Sequence, residues 1–194
     1  SDDNTSVAMV AEVDGVIHAK VWGILPKDRV EIKTKKENVD YAKLIAAGNC
    51  FAEGEEVIDY GFVERWILGL EEKYGVEVIQ VGYDRWNAIS TIQKLEANSM
   101  ECVEVKQHSS VLHSATKLLR EAILKKTFAY DDNRLLEINF QNARCTYDTN
   151  LNAYVNKKRS AGKVDMVVST IIAVYLLQQS MLDNSELDWG IQVI

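Results

Sequence analysis

The chain has 194 residues, of which 47% are apolar and 26% charged, with a formal net charge of −7. This is an ordinary globular composition, sufficient for one domain with a substantial core, and its acidic balance does not advertise tight nucleic-acid binding. With one proline, Pro26, and no Gly/Ser- or Pro-rich linker, the sequence shows no internal domain boundary.

The first predicted element is a β-hairpin. Thr5 to Val13 and Val16 to Leu25 alternate around Asp14-Gly15, a dipeptide suited to a type I′ turn. A charged connection leads to a helix near Val39 to Ala47, and Asp59 is placed to cap a helix running to about Tyr74. In that helix Phe62, Trp66, Ile67 and Leu70 share one face. Val76 to Gly82 reads as a short buried strand, its apolar run Val78 to Val81 bounded by Gly75 and Gly82. A helix near Asn87 to Asn98, a strand near Glu101 to Lys106, and helices at about Ala115 to Lys126 and Asn133 to Asn142 follow. A second hairpin, Ala143 to Asp148 with Asn152 to Asn156, precedes a long apolar helix that has Asp165 in its first turn. A hairpin first and strands alternating with helices later describe a mixed α/β sheet flanked by helices.

Several function classes are excluded by motif. There is no GxxxxGK[ST] phosphate loop, so the chain is not an ATP-driven motor, and no GxSxG, HExxH or GxGxxG pattern. The longest uncharged apolar segment, Met166 to Leu177, is too short for a membrane span, and no signal-peptide pattern is present. Cys50, Cys102 and Cys145 are odd in number and lack CxxC spacing, as expected of reduced thiols.

Two aspartates carry the chemistry. Asp84 follows the tip of the strand that ends in Gly82-Tyr83, the position where ligands bind in open α/β sheets, although an Asp there can also cap the next helix. Asp165 stands in the first turn of the apolar helix, where the helix dipole favours a carboxylate, beside Lys163 and near Lys157, Lys158 and Arg159. Convergence of the pair would suit a hard divalent cation such as Mg²⁺, which takes one or two carboxylates together with phosphate oxygens and water. Charge is unevenly spread: residues 1–100 carry 11 Lys/Arg against 18 Asp/Glu, whereas 101–165 carry 11 against 8. The basic excess therefore lies next to the candidate site. The stretch from Lys106 through His108 and His113 to Lys117 reads from its residues as a polar loop, since the five-residue spacing of its histidines is not a ligand signature. His18, Trp22 and Trp66 read as structural, Trp86 as a border of the site, and Trp189 as a docking residue in a polar tail.

GYDRWNA (82 to 88), VEVKQ (103 to 107), SATKLL (114 to 119) and SAGKVD (160 to 165), with GN and VIDY between 48 and 60, occur in an order that resembles the nuclease domain of tailed-phage large terminases. The resemblance runs from about Thr5 to about Leu182; the family's usual Gly after the last aspartate is Met166 here. It implies an RNase H-like fold and an endonuclease that cuts concatemeric viral DNA in the host cytoplasm, using clustered aspartates and two Mg²⁺ or Mn²⁺ ions. Asp84 and Asp165 match two metal-binding aspartates, with Lys163 able to offset phosphate charge. The implied partners are double-stranded DNA, the terminase ATPase domain, the small terminase subunit and the portal, with no membrane.

The family's first metal-binding aspartate lies on an initial strand before a polar turn, and here that turn matches Ser1 to Ser6. The first strand is therefore expected before Ser1, and with it the ATPase domain; the alternative is that Asp2 or Asp3 substitutes. Lys106, His108, His113, Lys117, Lys157, Lys158 and Arg159 are the expected DNA contacts, through phosphates rather than base edges. Two other functions fit the same residues: an RNase H-like junction resolvase, and a docking module of the packaging motor without activity of its own.

Overall fold

The computed structural model describes residues 4–85 and 88–191, with 185–191 described by backbone alone. The chain opens with the predicted hairpin, β1 (Thr5–Val13) and β2 (Val16–Leu25), paired antiparallel from Thr5 opposite Ile24 to Val13 opposite Val16. Asp14 and Gly15 both have positive φ, 52° and 79°, as a type I′ turn requires of its two central residues. Gly15 adopts this region without a Cβ penalty and donates its N–H to Glu12 Oε1.

The charged connection is structured: a 3₁₀ turn at Lys27–Arg29 leads into α1 (Val30–Glu37) and then α2 (Tyr41–Ala46). Helix α1 has no apolar stripe to betray it in sequence. Two short strands also escape the sequence pattern, β3 (Cys50–Ala52) and β6 (Phe128–Tyr130). Both pair parallel with β2 on the edge opposite β1, β3 along Gly23–Leu25 and β6 along Ile17–Ala19. Three-residue strands are too short to show period-2 alternation.

Strand β2 is the centre of this sheet and is buried on both faces. Its alternating side chains go to opposite layers. Ala19, Val21 and Leu25 pack with Tyr41 and Leu44 of α2 and with Leu135 and Leu136 of α7 (Arg134–Asn142). Ile24 packs with Val63 and Ile67 of α3 (Tyr60–Leu68) and with Ile92 and Leu95 of α5 (Ile89–Ala97). Asn133 ties the first layer together: its Nδ2 donates to Val21 O at 2.7 Å, and its Oδ1 accepts from Leu136 N at 3.0 Å, capping α7.

The helix expected up to Tyr74 is interrupted at Gly69, giving α3 and α4 (Leu70–Tyr74), with Asp59 capping α3 through Gly61 N. The buried strand expected over Val76 to Gly82 shortens to β4 (Val81–Tyr83), and Ile79 is 63% exposed. Strand β4 pairs parallel with β5 (Cys102–Glu104) and is not hydrogen-bonded to the larger sheet. With a strand neighbour on one side only, the run before Val81 has nothing to bury it. The two-stranded sheet is held instead by α8 (Asp165–Ile191), whose Ile172 and Leu176 would lie 2.9 and 2.8 Å from a Cβ at Gly82. Gly82→Val should therefore overpack this contact and cost about 1–3 kcal/mol, read as a lowered midpoint in thermal unfolding.

Helix α6 (Ser109–Leu124) begins six residues earlier than the sequence suggests. Most of the expected contact loop is thus helical, with His108 as its N-cap, accepting from Ser110 N, and His113 and Lys117 inside it. Helix α8 packs its Val167, Ile171 and Val174 against Ala115, Leu119 and Ala122 of α6. Its stretch Asp165–Asn184 is long and apolar enough to cross a membrane by length and composition, and in this fold it is the central core helix. The hairpin β7 (Cys145–Tyr147) and β8 (Ala153–Val155) forms as expected and rests on α6.

Candidate active site

The outer edge of β1 and the outer edge of β4 have no strand partner among the described residues, and both line one cleft of about 910 Å³. Its size is that of a substrate-binding site. Asp84 and Asp165, 81 positions apart in sequence, both line it, together with Asn4, Ser6, Gln107 and Lys157.

Asp84 leaves the C-terminal end of β4 and is half-buried. It does not cap the next helix, because the N-cap of α5 is Ala88. It makes no hydrogen bond or ion pair within the described residues, so the capping role open to it in sequence is not the one it fills.

Asp165 opens α8 and is fixed from both sides of the fold. Ser6 Oγ donates to Asp165 O at 2.9 Å and lies 2.8 Å from Ser169 Oγ, tying the start of the helix to β1. Asn139 Oδ1 accepts from Met166 N, and Asn142 Nδ2 donates to Lys163 O. The Gly of SAGKVD is needed for that last contact, since a Cβ at Gly162 would stand 2.7 Å from Asn142 Nδ2. The carboxylate oxygen Oδ2 of Asp165 is sealed from solvent. Ser6, Asn139 and Asn142 thus position the site and were not recognisable in sequence; their partners lie 21 to 163 positions away.

The basic residues separate by place. Lys157 lines the cleft, whereas Lys158, Arg159 and Lys163 do not. Lys106 and Lys117 are exposed. His113 is half-buried and accepts from Ala153 N through Nδ1 at 2.7 Å, anchoring the β7–β8 hairpin to α6. His108 Nδ1 lies 2.7 Å from Ser110 Oγ at the helix start. His18, expected to be structural, is exposed and lines the cleft; Trp22 is buried as expected. Trp66 is half-buried and packs edge-on against Trp22. Asp3 and Trp86 fall outside the described residues, as does the side chain of Trp189.

Asp148 completes the hairpin anchor. It accepts from Ser109 Oγ at 2.5 Å, from Asn152 Nδ2, and from the N–H groups of Asn150 and Asn152. These donors hold its carboxyl well below the usual aspartate range. A depressed folded-state pKa means that the stabilisation is present above the ordinary aspartate pKa and is lost only as pH falls through the lower folded value. Asp148→Ala should therefore speed amide exchange at Asn150 and Asn152 at neutral pH, while the unaltered chain keeps both protected down to strongly acidic pH.

In donor chemistry, two carboxylates facing one cleft suit a hard divalent cation completed by water and phosphate oxygens. No group of three or more His, Cys, Asp or Glu side chains able to hold a metal occurs among the described residues.

Comparison with known proteins settles the relationship. Residues 1–180 match the family model of the terminase large subunit, endonuclease domain. The chain belongs to this family. Among solved structures, the large terminase of bacteriophage HK97 superposes with a TM-score of 0.77 at 18% identity, over 90% of this chain and 40% of that one. The large terminase nuclease from thermophilic phage G20c gives a TM-score of 0.49 at 17% identity, over 89% and 82% of the two chains. The same nuclease with bound magnesium gives 0.47 at 19% identity, over 62% and 63%. No curated protein sequence matches. The HK97 likeness is one of fold, and it makes the mixed α/β architecture of this terminase domain the RNase H-like one expected from sequence. The chain spans about 40% of the length of that large terminase.

Proposed function

We propose that this terminase domain is a metal-dependent endonuclease that hydrolyses phosphodiesters of concatemeric viral DNA during genome packaging, in the host cytoplasm. The observation that supports this most is the meeting of Asp84 and Asp165 in one cleft. Asp84 makes no hydrogen bond or ion pair among the described residues, and the backbone around Asp165 is held by three side chains. Rigid placement of carboxylates is what a catalytic cation site demands.

Asp84 and Asp165 would hold Mg²⁺ or Mn²⁺. When bound, such ions lower the pKa of water and stabilise the leaving oxygen of an in-line displacement. The chain's own part is to hold two carboxylates at the lining of one cleft. Lys163, two residues before the start of α8, is proposed to offset phosphate charge, and the exposed cations Lys106, Lys117, Lys158 and Arg159 to contact DNA phosphates together with His108 and His113.

Two ions need a further carboxylate. We infer that it comes from a strand preceding Ser1, within one nuclease domain whose ATPase domain lies further upstream, or failing that from Asp3. The unpaired edges of β1 and β4, which line the same cleft, support the strand, because a further strand there would satisfy the backbone groups of an open edge. In this setting the proposed partners are duplex DNA, the ATPase domain, the small terminase subunit and the portal.

The test is cleavage of supercoiled plasmid by the full-length gene product with Mg²⁺ or Mn²⁺. Nicking and linearisation that EDTA stops are expected. A strong preference for four-way junctions would move the function to a resolvase. The lack of a third ligand among the described residues favours one other role, a docking module without activity. Absence of cleavage, with no Mn²⁺ binding by calorimetry up to millimolar levels, would establish that role instead.

A further inference from the structure

Within the nuclease reading proposed above, the geometry points to Lys157, rather than its neighbours in the basic run, as the side chain that contacts the scissile phosphate inside the cleft. Three basic residues line the cleft: His18, Lys20 and Lys157. Lys20 is already engaged, paired with Asp131 and lying 5.1 Å from the centre of the Tyr74 ring. His18 stands opposite Ala11 in the β1–β2 ladder. That is five positions along β1 from Ser6, the residue that touches Asp165, or about 17 Å at 3.4 Å per residue. Lys157 has no acidic partner among the described residues, so its charge is available to a ligand.

The backbone that carries Lys157 is unusually well held for a turn. Asn156 N donates to Arg144 O at 2.8 Å, and Asn156 Oδ1 accepts from Lys158 N and Arg159 N. Ser160 Oγ donates to Asn156 O, and Asn156 Nδ2 reaches Thr146 Oγ1 and Tyr154 OH. Further along, Ala161 N donates to Asn142 O, and Asn142 Nδ2 donates to Lys163 O. The path from Lys157 to Asp165 is therefore pinned at both ends to α7 and the β7–β8 hairpin. This base fixes where the Lys157 side chain leaves the backbone, and its ammonium would act where phosphate charge grows in the transition state. Lys158 and Arg159, on the same turn, are exposed and do not line the cleft, so any phosphates they meet lie outside it.

The experiment compares the full-length gene product with its Lys157→Ala, Lys157→Arg and Asp84→Asn variants, and with Lys43→Ala as an exposed cation on α2. Initial cleavage rates are measured against plasmid concentration with Mg²⁺. Lys157→Ala should lower kcat by about 10²-fold, the scale of one lost transition-state donor, with a much smaller change in KM. Lys157→Arg should recover at least a tenth of the rate. Lys43→Ala should match the unaltered protein, and thermal midpoints should agree throughout because Lys157 is exposed. A Lys157→Ala protein that turns over within threefold of the unaltered one, while Asp84→Asn is inactive, overturns the assignment and leaves the nuclease reading standing. So does a loss confined to KM, which would make Lys157 one more DNA-attracting charge. Equal rates for the unaltered protein and Asp84→Asn, or no cleavage by either, overturn the nuclease reading and this inference with it.

Discussion

Asp84→Asn and Asp165→Asn should each reduce metal-dependent plasmid cleavage by more than about 10²-fold, while the folded domain should survive. Loss of a residue that merely orients a metal ligand costs about 10–100-fold, and loss of a ligand itself should exceed that. Stability should respond weakly, for reasons that differ between the two positions. Asp84 has no bonded partner among the described residues, so neutralising it removes only repulsion from the other acid. Asp165 occupies the first turn of α8, where a carboxylate gains about 0.3–1 kcal/mol from the helix dipole. Relief of repulsion in the shared cleft opposes that loss. Thermal unfolding with and without Mn²⁺ gives the check. The unaltered protein should gain stability from the ion, both variants should gain little, and their metal-free midpoints should lie close to that of the unaltered chain. Cleavage at the normal rate by either variant would remove that aspartate from the metal site.

Leu136→Ala should destabilise the domain by about 2–5 kcal/mol, a large share of the 5–15 kcal/mol typical of a folded domain. Leu136 is completely buried, in the layer between α7 and β2. Its own N–H is held by Asn133, which also reaches Val21 O, so the backbone cannot readily collapse into the space that a smaller side chain leaves. For a chain of this size the loss corresponds to a fall of roughly 4–20 °C in the melting midpoint. Leu124, 71% exposed near the end of α6, is the matched control, and its replacement by Ala should move the midpoint by no more than a degree or two. Equal effects at the two positions would contradict the packing described for α7.

Elements with strong local signals were legible in the sequence. The Asp14-Gly15 hairpin, α3 with its Asp59 cap, α7, the β7–β8 hairpin and the start of α8 at Asp165 all carry their cause within a few residues. Helix α1 was read as a connection because its face is charged, and Lys33 becomes buried only through the tertiary fold. Helix α6 was begun too late because His108, Ser109 and Ser110 look like loop residues, although the same polar side chains serve as helix caps. Strands β3 and β6 exist because β2 offers them an edge, a property of the partner rather than of their own three residues.

The sequence by itself determined the family of this terminase domain, the two aspartates at a strand end and a helix start, and the concentration of basic charge beside the second. These depend on residue identity and order, which a linear pattern retains. Only the tertiary structure decided that Asp84 and Asp165 share a cleft, that Ser6, Asn139 and Asn142 hold the start of α8, and that Lys157 lines this cleft while Lys158 and Arg159 do not. Each of these rests on contacts between segments distant in the chain, or on which way a turn faces. Such contacts are set by how β1, β4 and α8 pack, and packing is a property of the whole fold that no local stretch of sequence encodes.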